Sequence, residues 1–220
     1  MLKVNKISKI YTKNNNPVKA IDNVSLEISP GDFVSLMGPS GSGKSSLLLM
    51  LGGMLKPSLG EVIIDGHSLY DLNPEKLSAF RLEKIGFVFQ TFNLIPYLTA
   101  LQNVQIPLLL KGMSSKQQIE KATALLEKVG LLDRMHHEPA ELSIGQQQRV
   151  ALARMLANDP SIILADEPTG NLDSAMSAHV MQFLGELNQE GRTVVMVTHD
   201  NNVAAHAKRR LTLVNGALEE

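Results

Sequence analysis

The chain has 220 residues, 44% of them hydrophobic and 20% charged, which is long enough to bury a core without a staple and too apolar for a disordered chain. Lys and Arg number 21 against 22 Asp and Glu, a net charge of -1 that argues against partners held by phosphate neutralisation, so no nucleic acid is expected. Cysteine is absent, which excludes disulfides and thiolate metal sites. No signal peptide is visible at the start, and the longest apolar stretch, residues 47–55, is interrupted by Gly52 and Gly53. A spanning helix needs about 20 apolar residues. A membrane role therefore has to come through a partner.

Over residues 2–28 the apolar side chains alternate (Val24, Leu26, Ile28), predicting half-buried antiparallel strands with a hairpin loop at Lys13-Asn14-Asn15-Asn16-Pro17. A short apolar strand at Phe33–Met37 leads into a Gly-rich turn and a helix over Lys44–Leu51. Strands return at 61–65, Ile85–Phe89, 161–165, 193–198 and 211–214. Several are apolar almost throughout, as strands buried on both faces of a parallel sheet are. Between 91 and 160 the pattern turns helical. Ser114-Ser115-Lys116-Gln117 has the form of a capping box, opening a helix with Ile119, Ala122, Leu125, Leu126 and Val129 on one face and Gly130 as its stop. A further helix is expected over 146–157, ended by Asn158-Asp159-Pro160.

Gly38-Pro39-Ser40-Gly41-Ser42-Gly43-Lys44-Ser45 fits the phosphate-loop pattern, with Ser46 next in line, a strand before it and a helix after it. The glycines let backbone N–H groups turn in around phosphate oxygens, and the helix N-terminus adds a favourable dipole. Lys44 is expected to bridge the β- and γ-phosphates and Ser45 to offer its hydroxyl to Mg2+. The apolar strand Ile162-Ile163-Leu164-Ala165 ends in Asp166 and Glu167. Asp166 at the mouth of the loop is the expected Mg2+-side ligand. Strand alternation turns Glu167 elsewhere, where it is placed to act as general base on a water. The fold class that follows is α/β: a P-loop NTPase (RecA-like) core, an N-terminal antiparallel β subdomain and an inserted helical subdomain.

The chain resembles the ATP-binding cassette (ABC) ATPases over essentially its whole length. The resemblance rests on the phosphate loop and Asp166-Glu167 together with Gln90 at a strand end, Leu142-Ser143-Ile144-Gly145-Gln146, Asn171-Leu172-Asp173, and His199 after a buried strand. Gly86-Phe87-Val88-Phe89-Gln90, Phe92-Asn93-Leu94-Ile95-Pro96 and the run 165–173 look like the branch of macrolide-exporter, lipoprotein-release and cell-division ATPases. The resemblance implies one domain over 1–220, with the core and β subdomain at 1–90 and 161–220 and the helical subdomain at 91–160. It implies ATP and Mg2+ as ligands, hydrolysis of ATP, a second ATPase subunit sandwiching two ATP head to tail, and a separate membrane permease. It also implies a place on the cytoplasmic face of the cell membrane.

Residue by residue, the resemblance implies that Tyr11 stacks on adenine, an ordinary strand Tyr being the alternative. Gln90 touches Mg2+ or the attacking water, and His199 holds the γ-phosphate and orients Glu167. Ser143, Gly145 and Gln146 contact the ATP of the other subunit, and Asp173 links the two sites. The usual signature has glycine where this chain has Ile144; Ser143 and Gly145 are expected to make the contacts while Ile144 packs sideways. Residues 91–98, with Phe92, Leu94, Ile95, Tyr97 and Leu98, are either core of the helical block or a groove that receives a helix of the permease. Two other readings remain at this stage: a nucleotide-gated mechanical switch acting on an extracytoplasmic partner, and an ABC protein of DNA repair or translation.

Overall fold

The computed structural model describes residues 1–13 and 16–219, which form two sheets and seven α-helices. Strand β1 (Leu2–Lys13) pairs antiparallel with β2 (Asn16–Ile28) and β4 (Leu59–Ile64), and β5 (His67–Ser68) extends β4. The expected hairpin loop includes Asn14 and Asn15, which lie outside the described residues; the strands pair as far as Lys13 opposite Asn16. The alternation read from the sequence is that of a sheet with one wet face, and Val4, Val24, Leu26 and Ile28 are all buried.

The second sheet runs β10-β9-β3-β8-β7-β6. It is built from β3 (Phe33–Met37), β6 (Ile85–Phe89), β7 (Ile162–Asp166), β8 (Thr193–Val197), β9 (Arg209–Val214) and β10 (Ala217–Glu219). All neighbours are parallel except β9 and β10. The helices are α1 (Lys44–Leu51), α2 (Pro74–Lys84), α3 (Ala100–Leu110), α4 (Ser115–Lys128), α5 (Ile144–Leu156), α6 (Ser174–Gln189) and the short α7 (Asn201–Ala204). Leu164, Val195 and Val197 pack with α1 and the antiparallel sheet. Ile163, Ala165, Val194 and Met196 face the other way, onto α5 and α6. Covering both faces is what made these strands read as continuous apolar runs.

Helices α3, α4 and α5 share a third core around Leu101, Val104, Leu126 and Val150. The capping box at Ser114 forms as expected, but Ile119 of the predicted apolar face is 48% exposed. The adjacent Gln118 is buried instead, its Nε2 donating to the Met113 carbonyl at 2.7 Å. Helix α5 begins at Ile144, two residues before the predicted start, because Ser143 and Gln146 also form a capping box. Helix α2 escaped the periodicity reading because it buries no residue; the Asn73-Pro74 start was its one signal, and Asn73 Oδ1 does accept from Lys76 N at 2.8 Å.

What positions the site is the register of the parallel sheet. Phe89 lies opposite Asp166, Asp166 opposite Val197, and Val197 opposite Leu36. The loops carrying Gln90, Glu167, His199 and Gly38 therefore leave one edge of the sheet, at the carboxyl ends of its strands, where open α/β sheets place their ligands.

Candidate active site

The loop after β3 closes tightly against the antiparallel sheet. Gly43, the residue capping α1, has φ 103°, and a Cβ there would run into the Ala20 carbonyl oxygen of β2 and crowd Ile21 Cδ1 at 2.8 Å. No acidic side chain stands in the first turn of α1 and no side chain caps it, so its leading N–H groups are free for an anion. Lys44 is 8% exposed, and its Nζ donates to the carbonyls of Gly38 at 2.9 Å and Pro39 at 2.8 Å. An ammonium has three donors, so one stays available after the loop has taken two.

A cleft of about 370 Å3 opens here, with Ser40, Gly41, Gly43, Lys44, Ser45 and Ser46 on one side and Gln90, Glu167 and His199 on the other. Ser45 Oγ donates to Asp166 Oδ1 at 3.0 Å. Burial pushes the Asp166 carboxyl above its usual range, and the neighbouring Glu167 charge adds to this, while the Ser45 hydrogen bond and Lys44 oppose it. Glu167 Oε1 lies 2.9 Å from His199 Nδ1, so the tautomer carrying hydrogen on Nδ1 donates to the carboxylate.

Glu167 does turn away from Asp166, but not by strand alternation. It lies one residue past β7 with φ 47°, a left-handed conformation that a non-glycine residue adopts at a cost of about 1–3 kcal/mol. The turn holds it there: Glu167 N donates to the Val197 carbonyl at 3.0 Å, and Gly170 N donates to the Glu167 carbonyl at 3.1 Å. Gln90 is fixed through its backbone, whose carbonyl accepts from Asn171 Nδ2 at 2.9 Å. Asn171 came to notice in the sequence only as part of a motif, with no role of its own.

Five residues named from the sequence stand apart from this cleft. Tyr11 does not line it; the ring is 44% exposed on β1, with Lys9 Nζ 5.3 Å from its centroid. Asp173 caps α6 by accepting from Met176 N at 2.8 Å. Ser143 Oγ accepts from Gln146 N at 3.3 Å and Gln146 Oε1 accepts from Ser143 N at 2.9 Å, so the oxygen of the Gln146 amide is occupied by the cap. Gly145 is buried under Met176, whose side chain would collide with a Cβ there.

Ile144 departs from the expectation of sideways packing. It is the first residue of α5, outside the positive-φ residues, and 56% exposed. A helical position carries no demand for glycine. Ile144→Gly is accordingly expected to leave kcat within about threefold of the parent. A hundredfold rise, about 2.7 kcal/mol off the barrier, would show that the Ile side chain obstructs the turn.

The 91–98 segment divides between its two readings. Phe92 is 8% exposed, with φ 59°, and its carbonyl and that of Asn93 both accept from the Arg154 guanidinium at 2.6 Å. Leu94 packs on the helical core. Ile95 lines an apolar groove of about 700 Å3 between α2 and α3, with Phe87, Ile106 and Leu110, while Tyr97 stands 74% exposed. Asn103, which the sequence did not single out, is fully buried and staples the segment. Its Oδ1 accepts from Ile95 N at 2.8 Å, and its Nδ2 donates to the carbonyls of Ile95, Leu98 and Thr99.

The donor set around Ser45 fits Mg2+: a hydroxyl bonded to a carboxylate, with the Gln90 side chain on the same cleft, supplies hard oxygen ligands and leaves the other positions to phosphates. A glycine-rich loop, a Lys in its grip, a Ser-Asp pair and a Glu-His pair at one edge of a parallel sheet define a phosphate-loop nucleotide triphosphatase. The family model of ABC transporters matches residues 21–170, and the chain belongs to that family, as an ATP-binding subunit. It is 50% identical over 224 residues to the ABC transporter ATP-binding protein MJ0796 of Methanocaldococcus jannaschii, covering all of this chain and 95% of that one. It is 47% identical over 221 residues to the macrolide export ATP-binding/permease protein MacB of Bdellovibrio bacteriovorus, but spans only 33% of that longer protein. Among solved structures, the MJ0796 cassette dimer bound to ADP and Pi in a post-hydrolysis state superimposes with a TM-score of 0.94 at 48% identity, covering 100% of this chain and 97% of that one.

Proposed function

We propose that the chain hydrolyses ATP as one half of a head-to-tail dimer and so drives a separate membrane permease of the MacB kind. The core at 1–90 and 161–220 and the helical part at 91–160 act as one ATPase domain in this reading. The observation that carries it is the gathering of Lys44, Ser45, Asp166, Glu167, His199 and Gln90 around one sheet edge. Mg2+, when bound, neutralises charge on the β- and γ-phosphates. Lys44 and the free N–H groups of α1 hold the phosphates, and Ser45 and Asp166 hold the ion. Glu167, with one carboxylate oxygen accepting from His199, keeps the other to take a proton from the attacking water. Gln90 closes the cleft beside it.

Ser143, Gly145 and Gln146 lie away from their own cleft, which supports their acting on the ATP of a second copy. The capping box leaves the Ser143 hydroxyl hydrogen free to donate, and the turn presents it at a helix N-terminus, a geometry suited to a γ-phosphate. Asp173, at the head of α6, faces the same junction in this reading. Tyr11 offers the ring face not covered by Lys9 to adenine. The homodimer of the archaeal cassette supports an isologous pair here.

No helix of the described residues is long and apolar enough to cross a membrane, while the family is one of membrane transporters. In this reading the subunit sits on the cytoplasmic face against its permease. The groove between α2 and α3, with Ile95 inside it and Tyr97 exposed two residues further on, receives in the same reading a short helix of that partner. The experiment is pull-down of the permease together with phosphate release. Tyr97→Glu should abolish pull-down while leaving the melting temperature within about 1 °C, because a side chain so exposed stabilises little. Undiminished pull-down would move the docking site elsewhere, and a wild-type chain that releases no phosphate from ATP would contradict the ATPase reading itself.

A further inference from the structure

Gln148 lies on α5, five residues after Ser143, and is fully buried. Its Nε2 donates to the Pro168 carbonyl at 2.9 Å. Its Oε1 is enclosed with no hydrogen-bond partner among the described residues. A buried acceptor left unpaired is a cost that an apolar side chain of the same size would avoid. What the amide secures in return is its contact with the buried Pro168 carbonyl. The half of the head that is paired grips the carbonyl of the residue immediately after Glu167.

That residue belongs to the turn that carries the catalytic carboxylate. From the sheet side the turn is held by the Val197 carbonyl, and internally by the bond from Gly170 N to the Glu167 carbonyl. Proline has no N–H to add. The Gln148 amide is a third hold, and it comes from the helix that begins at the signature turn. Ser143 and Gln148 are about 7.5 Å apart along one helix axis, so a displacement of the first turn carries the amide with it. The left-handed backbone of Glu167 needs such holds, since it persists only where its surroundings determine it.

We propose that Gln148 is a positioning residue that ties the signature end of α5 to the turn bearing Glu167. The inference rests on the dimeric reading above. In that dimer, Ser143 engages the γ-phosphate of the partner's site, and Gln148 passes this engagement to the base of its own subunit. Nucleotide in one site then sets the carboxylate of the other.

The test is Gln148→Met, which keeps length and volume but removes both the donor and the orphan acceptor. The melting temperature should stay close to the parent's, because the orphan Oε1 goes while the Pro168 carbonyl loses its donor. The KM for ATP should stay within about twofold while kcat falls by about tenfold or more, equivalent to at least about 1.4 kcal/mol. ATP-driven association, measured with Glu167→Gln in the same chain, should persist. A kcat within twofold of the parent overturns the proposal, and so does a loss of kcat that comes with a raised KM and a lower melting temperature. If Gln148→Met does not fold, Gln148→Glu retains the shape and, when protonated, an O–H donor. Its kcat relative to the parent should rise as pH is lowered, and a flat ratio contradicts the role. Failure of both variants to fold makes Gln148 a packing residue and ends the proposal. Failure of the ATPase reading would be seen earlier, as an inactive parent.

Discussion

Glu167→Gln is expected to lower kcat for ATP hydrolysis by about 10²–10⁴, the range general-base catalysis supplies, while ATP affinity stays within a few-fold. The two side chains have the same shape, and the amide oxygen can still accept from His199 Nδ1, so the geometry of the pair survives. What goes is the ability to take a proton from water. The substitution also removes a negative charge that helps to raise the Asp166 pKa. That eases the upward push on the Asp166 carboxyl, and with the shape of the Glu167–His199 pair kept, nucleotide binding with Mg2+ should stay within the same few-fold. Phosphate release and nucleotide titration on the same preparation check both halves. A fall in kcat of less than about tenfold would remove Glu167 from the role of base.

Gly43→Ala should be among the most damaging single-methyl additions in the chain. Its Cβ meets a backbone carbonyl, that of Ala20, and not the tip of a flexible side chain. Ala20 is part of β2, so the sheet cannot yield without disturbing the pairing of Ile21 with Lys9. The positive φ of Gly43 adds strain of about 1–2 kcal/mol for an L-residue. Together these should cost on the order of 3 kcal/mol, or about 6–12 °C in melting temperature for a domain of this size. The loop would open to relieve the clash, and ATP affinity should fall by a hundredfold or more with it. Gly41→Ala, where nothing lies within 4 Å of the added methyl, should cost only the strain of its own φ of 79°, about 1–2 kcal/mol. Calorimetry and nucleotide titration decide; equal effects at the two positions would contradict the argument.

The elements that could be read from the sequence were those whose physics is local. Strands β7 and β8 announced themselves because both faces are covered, and the phosphate loop because its glycines, Lys44 and Ser45 must stand at fixed spacing. Where the reading failed, the cause was a contact distant in sequence or a backbone angle. Strand alternation was extended one residue too far, to Glu167, whose orientation comes from a left-handed turn held by Val197. Ile119 fits a helical stripe, yet the neighbouring Gln118 is the buried side chain because the Met113 carbonyl needs a donor. The 91–98 segment could not be assigned to core or surface because Arg154 and Asn103, far along the chain or hidden in a helix, pull Phe92 inward and fix the turn that leaves Tyr97 out. Gln148 reads as one of three consecutive glutamines, and its burial and contact with Pro168 set it apart.

The measurement that bears most directly on the head-to-tail reading is the solution mass of Glu167→Gln by light scattering, with and without ATP. A trapped ATP should bridge the phosphate loop of one copy and the Ser143 turn of the other. The account predicts a monomer without nucleotide and a doubling of mass when ATP and Mg2+ are added. A chain that binds ATP in this variant and remains a monomer would contradict it, and would leave the signature turn without the partner that its position implies.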